Sequence, residues 1–78
     1  MVVAISMVKG FWQHIATDDI YAIECTSFGE VVGGVGPLAA NELIDLERYE
    51  YKQDVKEFLQ EAIDKDRMRK FQPAYTPE

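Results

Sequence analysis

Two side chains in this sequence could support nucleophilic chemistry, Cys25 and His14. A thiol attacks as its thiolate and needs an imidazole or a cation beside it to hold that form. The chain has one cysteine and one histidine, so no other pairing exists. Both fall on stretches expected to be neighbouring strands, which would allow contact. The local pattern argues against it. Cys25 alternates with Tyr21 and Ile23, and a thiol on an apolar strand face is an inert core residue.

A second candidate is the glycine-rich run "EVVGGVGPLAANEL", residues 30–43, with Gly33, Gly34 and Gly36. A phosphate-binding P-loop needs G-x-x-x-x-G-K-[ST], where the lysine reaches the phosphates and the hydroxyl holds the metal. Pro37 and Leu38 follow Gly36 here, and the required lysine and hydroxyl are missing. The dinucleotide fingerprint G-x-G-x-x-G is met at Gly34 and Gly36, with Ala39 as a permitted third position. However, the chain is too short for a doubly wound sheet, and Pro37 removes an amide donor. The run reads as a strand and a turn. Glu24 and Glu30, with Asp18 and Asp19, could do acid–base work only in a cleft that raises one pKa. They read as solvated charges.

The totals narrow the field further. Seventy-eight residues make one domain, near the size at which apolar burial and chain entropy nearly cancel. One cysteine excludes an internal disulfide framework, and one His with one Cys falls short of the four ligands of a structural zinc site. No metal and no cofactor is expected. The net charge of −6 opposes the counterion release that drives nucleic-acid binding, and it disfavours anionic membranes equally. Residues 1–41 carry Asp18, Asp19, Glu24 and Glu30 against Lys9 alone, whereas residues 42–70 mix both signs like a solvated helix surface. The opening "MVVAISMVKGFW" lacks a basic leader region, and no run approaches the roughly 20 apolar residues of a bilayer span. With a lone cysteine, the expected setting is the cytoplasm.

These residues must be positioned by a small α+β fold. Residues 2–8, 11–16, 20–26 and 30–35 read as four strands of an antiparallel meander, with Lys9-Gly10 as a break and Thr17-Asp18-Asp19 as a turn. A type I turn over Ser27-Phe28 with left-handed Gly29 sets a hairpin register. Thr26 then faces Glu30, Cys25 faces Val31, Glu24 faces Val32, Ile23 faces Gly33 and Tyr21 faces Val35. Tyr21, Ile23, Cys25, Val31 and Val35 would share the buried face, with Gly33 beneath whatever packs there. "ANELIDL" could be a short helix capped by Asn41. Val55, Phe58, Leu59, Ala62 and Ile63 lie on one helical face, and Asp54 with Glu57 resembles a capping box. Together with the Glu61–Lys65 and Asp66–Lys70 pairs, they predict a long C-terminal α-helix from about Gln53 to Lys70, packed on one sheet face. Residues 1–72 form the domain, and 73–78, with Pro73 and Pro77, an extended tail.

Nine aromatic residues exceed what one helix on one sheet can enclose. Trp12, Tyr21, Phe28, Tyr49 and Tyr51 are therefore the candidate interface residues, since aromatic side chains anchor protein contacts. The expected function is a small non-enzymatic accessory or protein–protein interaction protein. It would bind a protein partner, most simply itself as a homodimer through the uncovered sheet face or an edge strand. The competing reading is a thiol-dependent enzyme or small-ligand binder built on His14, Cys25 and the Gly33–Gly36 turn.

Overall fold

The computed structural model describes residues 6–73. Its elements are β1 (Met7–His14), β2 (Ile20–Thr26), β3 (Val31–Leu38), α1 (Lys56–Asp64) and β4 (Met68–Phe71). Single 3-10 turns at Ala40–Glu42 and Leu46–Arg48 lie between β3 and α1. The four strands form one sheet in the order β3-β2-β1-β4, and every pairing is antiparallel. The class is α+β, as expected, but two of its elements differ from the expectation.

First, Lys9-Gly10 is no break. Residues 7–14 run as a single strand, with Lys9 opposite Glu24 and Gly10 opposite Ile23. Glycine is a turn residue only where the chain needs its conformational freedom, and Gly10 sits in a paired strand. Residues 2–5 of the expected first strand lie outside the described residues.

Second, the helix is short. It covers nine residues and stops at Asp64, and Met68–Phe71 becomes the fourth strand, paired with Phe11–His14 of β1. Asp66 takes the left-handed conformation at φ 54°. The Asp66 N–H donates to the Ile63 carbonyl at 3.1 Å and the Arg67 N–H to the Ala62 carbonyl at 2.8 Å. This is the Schellman closure, with aspartate where glycine is usual. The expected Asp66–Lys70 helical pair disappears with it, while Lys65 and Glu61 do pair at 3.0 Å. At the start, the N-cap is Val55 with no side-chain cap, so Asp54 and Glu57 do not form the capping box. Asn41 is likewise no cap: the short turn beginning at Ala40 is closed by Glu42, whose carboxylate accepts from the Ala39 N–H at 2.8 Å.

The hairpin tip follows the expected register, and the rest slips. Gly29 has φ 86°, the Thr26 N–H donates to the Glu30 carbonyl at 2.8 Å, and Cys25 faces Val31. An irregularity between Glu24 and Cys25 then leaves Val32 unpaired, so Glu24 faces Gly33, Ile23 faces Gly34 and Ala22 faces Val35. A bulge shifts the residues beyond it to the opposite face, here as far as Ala22, where a second irregularity before Ile20 changes the register again. Gly34, rather than Gly33, therefore lies on the helix side: a Cβ there would overlap the Leu59 side chain. Gly33 faces the other way, 3.1 Å from the Lys52 carbonyl oxygen for an added Cβ. Lys52 and Gly34 exchange two backbone hydrogen bonds, which ties part of the outer edge of β3 to the chain that follows.

α1 lies across one sheet face. Tyr21, Ile23, Val31, Leu59, Ala62 and Met68 form the main core there, with Trp12, Cys25, Val55 and Ile63 packed around it. Burying a side chain such as Leu59 contributes about 1.5–3 kcal/mol. The opposite face was expected to be bare. It holds Phe11 and Ala22, register partners that are both buried, with Tyr49 edge-on to Phe11 at 6.1 Å.

Candidate interaction surface

The loop between β3 and α1 is held down by its own tyrosines. The Tyr49 hydroxyl donates to the Glu42 carbonyl at 2.6 Å and accepts from the Ile44 N–H at 2.9 Å. The Tyr51 hydroxyl donates to the Leu46 carbonyl at 2.6 Å. The two rings meet edge-on at 6.2 Å. Asp45 caps the second 3-10 turn by accepting from the Glu47 N–H at 2.9 Å. Burial, with the negative charge of Glu24 behind it, pushes the Tyr51 hydroxyl pKa well above its ordinary value near 10.

This arrangement presents residues 44–47 alongside β1. The Lys9 ammonium lies 2.7 Å from Glu47 and 3.9 Å from Glu24, with the Tyr51 ring 5.8 Å away. The hydrogen bond to Glu47 raises the Lys9 pKa, which makes this lysine a fixed cation and a poor nucleophile. Beside it opens a cleft of about 370 Å³, lined by Met7, Lys9, Phe11, Ile44, Asp45, Leu46 and Glu47.

The hairpin tip sits at the same end of the sheet, because Met7 faces Thr26 and the Ser27 N–H donates to the Ser6 carbonyl. Phe28 projects from it with 79% of its surface exposed. The tip is nonetheless fixed. The Thr26 hydroxyl accepts from the Phe28 and Glu30 N–H groups at 3.3 and 3.2 Å. From α1, Gln60 accepts from the Val31 N–H at 2.7 Å and donates to the Gly29 carbonyl at 3.4 Å and to Asp64 at 3.1 Å. Met7, Val8 and Ile44 are also exposed at this end, whereas Ile15 and Phe58 are exposed near the other.

The sequence candidates are thus dispersed. Phe28 faces solvent. Trp12 is half-buried, with the Lys70 ammonium 5.2 Å from its ring centre. Tyr21 is buried, and Tyr49 and Tyr51 clamp the loop. Cys25 pairs with Val8, and His14 lies six residues further along β1, about 20 Å away at a strand's rise of about 3.3 Å per residue. His14 instead stacks on Phe58 at 5.9 Å, and its Nδ1 is buried with no hydrogen-bond partner. Gly33, Gly34 and Gly36 are strand residues, and Gly36 is packed against the Tyr21 ring. Among the described residues no three His, Cys, Asp or Glu side chains gather as a metal site, and no helix is long and apolar enough to cross a membrane.

Met7 and Ile44 were missed as surface residues. The alternation Met7, Lys9, Phe11 carries the signal for Met7, and reading Lys9-Gly10 as a break concealed it. Fold and surface together define a small single-domain α+β protein with an antiparallel sheet, a fixed aromatic tip and an adjoining cleft. No family model, curated protein or solved structure matches the chain.

Proposed function

We propose that this chain is a non-enzymatic protein-interaction module that docks through the hairpin-tip end of its sheet. The observation that supports this most is Phe28: a large apolar side chain held in water on a tip that hydrogen bonds make rigid. A backbone already held in place loses little entropy on docking, and exposed aromatic anchors supply much of the energy of a protein contact. Met7 and Ile44 on the loop face, and Val8 on the helix face, add exposed apolar surface at the same end. The separation of His14 from Cys25 weighs against the thiol-enzyme reading. Residues 44–52 cover part of the sheet face that was expected to be bare, which weighs against self-association there and leaves an edge strand as the route. A second copy is therefore one partner among those an experiment must separate.

Photocrosslinking in the cells that make the protein provides the test. Benzoylphenylalanine is placed at position 28, at position 44, and at position 15 as the far-end control. The reading expects one defined adduct from positions 28 and 44 and none from 15. A product at twice the chain mass would make the partner another copy. No adduct at position 28, or the same pattern from all three positions, would reject the reading.

A further inference from the structure

Resting on that interaction reading, the charge around the cleft narrows the partner's chemistry. The cleft of about 370 Å³ has Met7, Phe11, Ile44 and Leu46 among its walls, a lining suited to one large aliphatic or aromatic side chain. Its charged members are Lys9, Asp45 and Glu47, one ammonium against two carboxylates, and Glu24 adds a third behind Lys9. Lys9 is already committed to Glu47 and Glu24. Asp45 uses one oxygen on the Glu47 amide, and no described cation lies within ion-pair distance of it. The local excess is negative, and so is the whole chain at −6. A second copy would bring like charge to like charge; a cationic segment would be attracted.

We infer that the cleft receives a short basic segment of another protein, with one leucine-like side chain inserted between Met7, Phe11, Ile44 and Leu46 and flanking lysine or arginine beside Asp45 and Glu47. Apolar contact would supply the hold, and the carboxylates would supply selection and salt dependence.

The test uses the full chain, ¹⁵N-labelled, titrated with three acetylated hexapeptides: one leucine among lysines and arginines, the same peptide with glutamates for the bases, and the basic peptide with serine for leucine. The basic leucine peptide should shift the amides of Met7, Lys9 and residues 44–47. It should bind at least tenfold more tightly than the acidic version and fivefold more tightly than the serine version. Its binding should weaken as NaCl rises from 50 to 500 mM. Asp45→Asn keeps the cap acceptor and removes the charge, and should weaken binding two- to threefold. Ile44→Ser should weaken it at least fivefold. No shifts at millimolar peptide, equal binding of acidic and basic versions, or indifference to both substitutions would overturn the inference. A position-28 crosslink that persists beside such a failure would leave the interaction reading standing and reject only this partner chemistry; its absence would reject both.

Discussion

On the helix side of the sheet, Ile23, Val31 and Leu59 are fully buried in one apolar cluster. On the loop side, Phe11 and Ala22 are buried beneath a segment with no regular element longer than one turn, held by two tyrosine hydroxyls and the cap of Asp45. The first cover is continuous apolar contact, which is non-directional and scales with area. The second is a few directional bonds at fixed points, each with a modest net contribution of about 0.5–1.5 kcal/mol. A cover fixed at points can leave space between them, and the cleft at Met7, Phe11, Ile44 and Leu46 lies where this loop meets β1. The two faces also differ in what they contain: the densely packed face holds the main core cluster, and the pinned face holds the cleft.

The largest effect should come from the helix side. Leu59→Ala removes a fully buried side chain over Gly34 and should cost about 2–5 kcal/mol in urea unfolding. A cost below about 1 kcal/mol would mean the two faces do not differ as argued.

Gln60→Ala comes next. Helical phase alone places Gln60 away from the apolar stripe and makes it appear dispensable. Its carboxamide instead accepts from the Val31 N–H, and Val31 is buried. Truncation orphans that donor and should cost about 1–3 kcal/mol. It should also raise amide exchange at the hairpin tip, which a simple loss of surface polarity would not do.

On the pinned side, Tyr51→Phe removes the bond to the Leu46 carbonyl and should cost about 1 kcal/mol at neutral pH. The pH dependence sharpens the comparison. Folding raises the Tyr51 pKa above its unfolded value near 10, because burial and Glu24 favour the neutral hydroxyl. The folded state therefore holds its proton where the unfolded state has lost it. The stabilisation is complete below pH 10 and declines as pH climbs beyond it. Burial shifts Tyr21 the same way. Tyr51→Phe should flatten the alkaline fall in stability, and an unchanged slope would locate that fall elsewhere.

The sequence made the α+β class, the hairpin tip and the apolar helix face legible, since each depends on local pattern: alternation, a G1-type turn and a 3.6-residue stripe. What it concealed depends on tertiary context. Val32 bulges in a run of Val and Gly whose alternation fits either register, so Gly33 and Gly34 exchanged faces. Asp66 closes a helix that its charge pairs would have continued, and Met68 and Phe71 are recognisable as strand only once Phe11–His14 offers an edge. Tyr49 and Tyr51 stood out as aromatic excess, but the carbonyls they bind lie seven and five residues back in an irregular loop. Of the surface proposed here, Phe28 was legible at its turn. The cleft was not, because it forms where β1 meets that loop.

The smallest effect is expected at Gly10, and Gly34 is its counterpart. Gly34 lies under the helix, where an added Cβ would overlap Leu59 and come within 3.1 Å of the Ala22 carbonyl oxygen. Gly34→Ala should therefore destabilise, by roughly 1–3 kcal/mol through overpacking. At Gly10 an added Cβ meets nothing within 4 Å. Its pairing with Ile23 is ordinary antiparallel ladder, a conformation alanine adopts freely. The unfolded chain loses freedom when glycine becomes alanine, so Gly10→Ala should stabilise by about 0.4–1 kcal/mol. If residues 9–10 instead formed the turn that their composition suggests, with Gly10 at positive φ, the same substitution would destabilise. The sign of the shift in urea midpoint decides between a continuous β1 and two short strands. That continuity also fixes the cleft, because Met7, Lys9 and Phe11 face one way only if β1 runs unbroken through Gly10.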